Sequence, residues 1–593
     1  MRKIRNYVGI ACTGHDNAVA IVDGGGNIRF AEASERYLQN KRALQSPADD
    51  LVRTRELIDD YCEPGAELVV TRTWSAGARE TLRAESARIA KRACKLERVL
   101  SRRGLQQLTA EPARLMLGMW QEYGFLLDFV RSSIGHSGNN IAYLYGTQMG
   151  GLVSVRDMDH HLAHAATGCY TSPFDEAACA VVDGFGEGSS VQCFSYRDGK
   201  LARLGDDDGG DSVGMSLGLF YANLCRWCGF DPWKGEEWKV MGLAAYGELD
   251  DEMLLALRGY ISADGLRIRY DAAGLTAVCG LLNRLAGKSY EAAEVANLAR
   301  TGQQVFCEVM TDLLNNLREV SGMRDLVLGG GCALNSSYNG QILERTGFER
   351  LHVFAAPADD GNALGAALHS YYADGGTWRP SHHTSPYLGS AVAESSLQAA
   401  LEHSKAFRAT RHANGLASVV ARHLAAGKIV GWMQGRAEFG PRALGNRSIL
   451  ADARRADMKA RVNAAVKFRE SFRPFAPSIL HEHGSEYFEN YQESPWMERT
   501  LRFRPSARSK VPAVVHVDGT GRLQSVRREA NPCYHELIAE FHRLTGVPMV
   551  LNTSFNVMGR PIVHSVEDAL AAFTTTGLDV LAIGNCVFEK PAA

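Results

Sequence analysis

His160 and His164 stand four residues apart in the stretch Asp157-Met-Asp159-His160-His161-Leu-Ala-His164. On a helix that spacing places both imidazoles on one face, one turn apart, where they can grip one metal ion without bending the backbone. The plain alternative is a polar helix start, capped by Asp159, with solvated histidines. Two carboxylates are candidates to complete a metal site. Asp183 ends a strand in VVDGFGE, and Asp359 opens a small-residue helix in PADDGNALGAA. Each taken alone reads equally well as a turn residue. Two His and two Asp form a mixed nitrogen and oxygen set suited to Fe²⁺, Mn²⁺ or Zn²⁺, with positions left for substrate or water.

A second cluster is basic. From Arg436 to Arg473 ten Lys or Arg face four Asp or Glu. Gly and Pro frame the arginines in GRAEFGPRALGNRSIL and KFRESFRPFAPS, which favours fixed guanidinium forks for a phosphate or carboxylate over a loose charged face. Further on, Asn552, Ser554 and Asn556 end a strand with amides and a hydroxyl, partners for phosphate or a carbamoyl group. Gly329, Gly330 and Gly331 follow an apolar strand and lead to Asn335. Such a turn brings backbone N–H groups close to an anion, and the generic reading is a tight strand–helix turn.

These residues need elements to position them. Tyr7–Cys12, Ala18–Val22 and Ile28–Ala31 read as strands, with Asp23–Asn27 as a hairpin turn. A second copy of the pattern runs from Ala177 through Asp183, Ser189–Tyr196 and the turn Arg197–Lys200, which suggests an internal duplication. Residues 76–135 read as a helical insertion, rich in Ala, Arg, Glu and Leu, that shapes a pocket. Residues 376–390 read as a linker. A second α/β unit then begins near Lys428, so domains of 1–380 and 391–593 are expected.

With 593 residues, two or three domains are expected. A net charge of −2 gives no chain-wide attraction to nucleic acid or membrane. Thirteen scattered cysteines fit reduced thiols, and the single Cys225-Arg-Trp-Cys228 pair reads as structural. No signal peptide or membrane-crossing stretch is visible, so a cytoplasmic protein is expected.

The motifs GHDNA (14–18), HHLAHA (160–165), VVDGFGE (181–187), EWKVMGLAAYG (237–247), GGGCALN, DDGNALGAA, FGPRALGNRSIL, KFRESFRPFAPS, HVDGTGR (516–522) and NTSFN occur in order. Together they resemble the O-carbamoyltransferases of antibiotic and Nod-factor tailoring, the NodU/CmcH type. Residues 76–135 and 390–425 carry little of the resemblance.

The resemblance implies an α/β protein. Its N-terminal domain would be a duplicated actin/hexokinase-like domain, similar to threonylcarbamoyltransferase, and its C-terminal domain would be YrdC-like. It implies that carbamoyl phosphate and ATP, with Mg²⁺, form carbamoyladenylate in the second domain, and that the first domain moves the carbamoyl group to a hydroxyl with Fe²⁺ as the metal. Carried over by position, His160, His164, Asp183 and Asp359 are the metal ligands and His15 is the base. Arg442, Lys467, Arg473, Arg522, Asn552 and Ser554 bind carbamoyl phosphate or carbamoyladenylate, and Gly329, Gly330, Gly331 and Asn335 bind nucleotide. His161 competes with His160, and Asp360 with Asp359, although the spacing to the following glycine favours Asp359. The expected partner is a small-molecule hydroxyl, a sugar or polyketide antibiotic intermediate. A homodimer is possible, and neither nucleic acid nor membrane is expected. The alternatives are threonylcarbamoylation of tRNA, disfavoured by the near-neutral charge, and a non-catalytic nucleotide- or metal-binding protein on the same folds.

Overall fold

The computed structural model describes residues 4–102, 112–205, 216–285, 287–377, 384–403 and 407–590. The chain divides into two compact units. The first comprises Met1–Ser34, Arg42–Leu334 and Ile342–Thr384, and the second comprises Glu35–Lys41, Asn335–Gln341 and Ser385–Ala593. Two short segments before residue 380, the expected end of the first domain, thus belong to the second unit.

In the first unit, β1 (Arg5–Ala11), β2 (Ala18–Val22) and β3 (Ile28–Ala33) form an antiparallel meander. The hairpin turn is fixed by Asp23, whose Oδ1 accepts from the backbone N–H of Gly25 and Asn27, both at 2.9 Å. β4 (Glu67–Arg72) and β5 (Val153–Asp157) add in parallel beside β1, giving the order β3-β2-β1-β4-β5. The second sheet repeats this plan. β6 (Glu176–Val182), β7 (Val191–Arg197) and β8 (Lys200–Leu204) form a meander. The hairpin β9 (Ile261–Asp264) and β10 (Arg267–Tyr270) stands apart. β11 (Asp325–Gly329) and β12 (Arg350–His352) then join β6 in parallel, so the order is β8-β7-β6-β11-β12. The strand directions match position by position. This is the internal duplication expected from the sequence. β1 and β6, buried on both faces, read as unbroken apolar runs rather than alternating ones.

The helical insertion consists of α1 (Ala78–Arg102) and α2 (Pro112–His136). Leu82 and Ile89 of α1 and Leu127, Val130 and Ile134 of α2 share one apolar core with β1 and β4. α3 (His160–Thr171) follows β5, α4 (Glu237–Ala244) lies later in the chain, and α5 (Asn362–Ala373) follows β12. α3 and α5 cross closely. A Cβ added at Gly365 would stand 2.1 Å from the Ala163 carbonyl oxygen, and Thr167 Oγ1 donates to the Gly361 carbonyl at 2.8 Å. Small residues along both helices permit that approach, which brings the start of α5 against α3.

The second unit is built on one nine-stranded mixed sheet. Its strands are β13 (Arg408–Arg411), β14 (Val430–Met433), β15 (Arg447–Ala451), β16 (Ala476–Leu480), β17 (Arg499–Arg502), β18 (Thr520–Val526), β19 (Met549–Ser554), β20 (Val580–Ile583) and β21 (Cys586–Glu589). They lie in the order β13-β21-β20-β14-β15-β19-β16-β18-β17. Pairing is antiparallel except for β14 with β20 and β16 with β18. Helices Leu416–Ala425, Pro532–Thr545 and Val566–Thr575 contribute to its core, where Val420, Phe541 and Phe573 are fully buried. Among the described residues no helix is long and apolar enough to cross a membrane. Cys225 and Cys228 are buried free thiols, pushed up by burial, which disfavours the thiolate that a metal would need.

Candidate active site

The site of the first unit gathers at the C-terminal ends of the duplicated strands. His15 lies in the turn after β1, and Asp183 in the corresponding turn after β6. His160 and His164 come from the first turns of α3, and Asp359 from the 3₁₀ turn that leads into α5. Asp159 does cap α3, with its side chain accepting from Leu162 N–H at 2.8 Å. The histidines behind it are buried rather than solvated.

His160, His164, Asp183 and Asp359 each offer one ligand atom, all within 4.8 Å of one another. His160 Nε2 lies 3.1 Å from Asp183 Oδ2 and 3.7 Å from Asp359 Oδ1, and His164 Nε2 lies 3.3 and 3.2 Å from the same oxygens. Metal–ligand bonds of about 2.1 Å would set neighbouring donor atoms roughly 3–3.5 Å apart, so this spacing fits one divalent ion. His164 Nδ1 donates to the Pro357 carbonyl at 3.1 Å, which leaves Nε2 as the free donor atom. That Nε2 is buried and makes no hydrogen bond. Against the downward pull of burial, the two carboxylates push His164 up to about 10. Burial opposes ionisation of Asp183 too, but His160 and His164 hold it well below the usual carboxylate range.

Neighbouring residues hold this group in place. Trp74, fully buried, stacks on His160 with ring centroids 4.6 Å apart. Glu187 accepts from the backbone N–H of His160 at 3.2 Å and of Ser75 at 2.6 Å, fixing the entry to α3. His161 stays outside the group. Burial, with His160 beside it, pushes it down to about 3, and its ring occupies the space that a side chain at Gly186 would need. Asp360 also stays outside, accepting from Gly361 N–H at 3.0 Å.

The triple glycine forms the tight strand–helix turn that is its generic reading. Gly331 N–H donates to Asp183 Oδ1 at 3.1 Å, and Gly330 N–H donates to the Pro357 carbonyl at 2.9 Å, the same oxygen that holds His164. Gly330 has φ +86°, and a Cβ there would lie 2.3 Å from the Val182 carbonyl oxygen. Gly329 is the last residue of β11 and packs beside His164. Two of these N–H groups are therefore committed to the ligand group rather than presented to a nucleotide. Asn335 caps the short helix Ser336–Asn339, its side chain accepting from Tyr338 N–H at 3.1 Å.

His15 Nδ1 lies 3.0 Å from Asp16 Oδ2 and 3.8 Å from Asp359 Oδ2. Arg42 in turn grips Asp16, with contacts of 2.8 Å from NH2 and 3.2 Å from Nε. Burial resists the Asp16 charge, yet Arg42 and His15 hold its carboxyl well below the usual range. With Nδ1–H directed at a carboxylate, His15 keeps its lone pair on Nε2, the form a base requires. Asp16 and Arg42 were not singled out from the sequence. Asp16 sits inside GHDNA, but its partner lies 26 residues on.

In the second unit, Lys467, Arg469, Arg473, Arg442 and Arg522 act electrostatically on one another. Burial and then the neighbouring cations depress Lys467 and Arg522 well below their ordinary values, and Arg469 to about 9. Burial takes Arg442 to about 10. Arginine stays protonated, so the buried cluster concentrates positive charge, a setting suited to an anionic group. Glu470 lies 3.1 Å from Arg473 and pairs with it. Lys467 ends a π-helical turn, Asn463–Lys467, before Phe468 at φ +47°, and its Nζ donates to Asn556 Oδ1 at 2.6 Å and to Ser554 Oγ at 3.2 Å. Arg469 and Asn556 thus join the expected set.

The loop that carries Arg442 wraps around buried Glu438, whose Oε1 accepts from the N–H groups of Leu444 (2.7 Å), Asn446 (2.8 Å) and Arg447 (3.1 Å). Asn552 lies behind this loop, fully buried, with Nδ2 donating to the Ala443 carbonyl at 3.1 Å and to Ser478 Oγ at 3.0 Å. It braces the arginine loop instead of facing a ligand. Sequence reasoning could not separate Asn552 from Ser554, which sits on the same strand end.

Comparison with known proteins settles the family. Residues 117–368 match the carbamoyltransferase N-terminus and residues 421–590 the carbamoyltransferase C-terminus. The chain belongs to the carbamoyltransferase family. Among its relatives, nodulation protein NolO of Bradyrhizobium diazoefficiens is 37% identical over 74% of this chain and 79% of its own length. Nodulation protein NolNO of Sinorhizobium fredii is 39% identical over 74% of this chain, which spans 64% of that protein's length. The structure of full-length HypF in its phosphate- and nucleotide-bound form is similar at 14% identity and a TM-score of 0.36, covering 64% of this chain and 57% of that one. That likeness is too remote to bear on function. The chain is thus a member of a transferase family with a mixed α/β fold, and His15 precedes the matched segment.

Proposed function

We propose that this protein is an ATP-dependent O-carbamoyltransferase acting on a hydroxyl of a small molecule. The observation that carries this reading is the convergence of an oriented imidazole, His15, on the group of His160, His164, Asp183 and Asp359, 3.8 Å away at Asp359. An alcohol is a weak nucleophile, and such a pairing supplies a base together with an electrophile's partner.

In the second unit Arg442, Lys467, Arg473 and Arg522, with Ser554, hold carbamoyl phosphate. Carbamoyl phosphate loses phosphate to water, and the carbamate so formed attacks the α-phosphate of ATP, expelling pyrophosphate and leaving carbamoyladenylate. The dense positive charge stabilises each developing phosphate charge. In the first unit, His160, His164, Asp183 and Asp359 would hold Fe²⁺, or alternatively Mn²⁺ or Zn²⁺. When bound, the ion polarises the carbamoyl oxygen. His15 Nε2 takes the acceptor hydroxyl's proton as that oxygen bonds to the carbamoyl carbon and AMP departs. Asp16 and Arg42 keep the His15 ring in the required tautomer. Small-molecule acceptors fit a chain of net charge −2 better than a polyanion does.

The test is incubation with carbamoyl phosphate and ATP. Pyrophosphate release that depends on carbamoyl phosphate, with a carbamoyladenylate mass, supports the reading. ATP turnover without either product overturns it.

A further inference from the structure

A patch of partly exposed aromatic side chains adjoins His15 and has no part in the chemistry so far described. Phe129 of α2 lies directly on Gly14, the residue before His15. A Cβ at Gly14, where φ is +95°, would come within 2.5 Å of the Phe129 ring. Gln45 ties the helix to this turn, its backbone N–H donating to the Gly14 carbonyl at 2.8 Å and its side chain to the Phe129 carbonyl at 3.0 Å. Phe125, one turn earlier, and Trp233 complete the patch, with ring centroids 5.7–6.0 Å apart in edge-on and tilted arrangements.

Trp233 is held from two sides. Its Nε1 donates to Glu122 at 3.0 Å, and the carbonyl of Pro232, its neighbour, accepts from Arg42 at 3.1 Å, the residue that grips Asp16. Phe125 is 59% exposed, and Phe129 and Trp233 are half-buried. Aromatic rings locked in place beside a reactive imidazole, yet open to solvent, have the character of a ligand platform.

We propose that Phe125, Phe129 and Trp233 form the acceptor-binding wall, which takes an uncharged acceptor by the aromatic or C–H face of a ring and presents its hydroxyl to His15. The proposal rests on the reading of His15 as the base and adds the class of acceptor and the element that selects it. The carboxylates around the wall already have cationic or N–H partners: Glu122 has Trp233 and Arg226, Asp16 has Arg42 and His15, Asp231 has Lys234, and Asp128 has Arg131. Burial pushes the Glu237 carboxyl up, which disfavours its charge.

Phenyl β-D-glucopyranoside serves as the probe, titrated into the full-length protein without carbamoyl phosphate or ATP and followed by saturation-transfer NMR. Wild type should bind it, and Trp233→Ala and Phe125→Ala should each weaken binding about five- to tenfold, as expected for loss of one aromatic stacking partner. Phe125 is largely exposed, so its variant keeps the fold, and an unchanged melting curve checks this. Polycationic kanamycin A should bind more weakly than the phenyl glucoside. No binding of the phenyl glucoside to wild type, equal binding by the variants, or tighter binding of kanamycin A would overturn the proposal. Because the readout needs no turnover, failure of the carbamoylation reading appears separately, as absent pyrophosphate release.

Discussion

Replacing Asp16 by Asn isolates the feature on which the transfer step depends most. Asp16 sits at φ +53°, a conformation that Asn tolerates nearly as well as Asp, so the backbone change is small. One oxygen, Oδ2, accepts both from His15 Nδ1 at 3.0 Å and from Arg42 at 2.8 and 3.2 Å, while Oδ1 lies 3.4 Å from Arg42 Nε. An Asn oxygen in the Oδ2 place still accepts from both, but its NH₂ then faces the guanidinium. The substitution also removes the negative charge that stabilises the imidazolium formed as His15 takes the proton. Charge-assisted bonds become neutral ones, so transfer should slow by about 10- to 100-fold, or roughly 1.4–2.7 kcal/mol of barrier. The assay follows carbamoyl transfer to an acceptor alongside pyrophosphate release in the same reaction. Pyrophosphate release should stay within about threefold of wild type, a shift of less than ~1 kcal/mol. Transfer reduced by less than tenfold would refute the role given to Asp16.

Three further outcomes follow. Wild-type protein purified with Fe²⁺ should retain about one ion per chain by elemental analysis, whereas a His160→Ala/His164→Ala double variant should retain none; equal retention would disprove the ligand set. Gly330→Ala forces a side chain into a left-handed backbone and against the Val182 carbonyl, so it should cost at least about 1–3 kcal/mol and lower the melting temperature; an unchanged melt would contradict that packing. Glu438→Ala leaves three buried N–H groups unpaired, at about 1–3 kcal/mol each before relaxation, and should weaken carbamoyl phosphate binding by loosening the Arg442 loop. Glu438→Gln, which can still accept, should bind nearly as wild type; similar loss in both variants would rule out the bracing role.

Much of the frame was legible in the residues. The two meanders declare themselves by apolar runs and turn residues, and their repetition in the structure extends to strand order and direction. The i, i+4 histidines are likewise a helical signature, and they meet Asp183 and Asp359 because α3 and α5 cross at small residues. Only half of the plainer reading of that segment holds: Asp159 caps the helix, but the histidines behind it are buried and converge. What stayed hidden depends on which oxygen a donor finds. The triple glycine reads either as a phosphate cradle or as a tight strand–helix turn, and an Asp183 carboxylate about 150 positions earlier takes the Gly331 N–H. Asn552 and Ser554 look alike in sequence and share one face of β19, but depth along the strand separates them: the amide is sealed behind the arginine loop while the hydroxyl, at the strand end, meets Lys467. The Asp16–Arg42 contact has no periodic or motif signal at all.

The most direct test of the division of labour compares His15→Ala with Arg473→Ala, each supplied with carbamoyl phosphate, ATP and an acceptor that wild type carbamoylates. His15→Ala should release pyrophosphate and accumulate carbamoyladenylate without transfer, and Arg473→Ala should do neither. Normal adenylation by Arg473→Ala, or transfer at the wild-type rate by His15→Ala, would contradict the account.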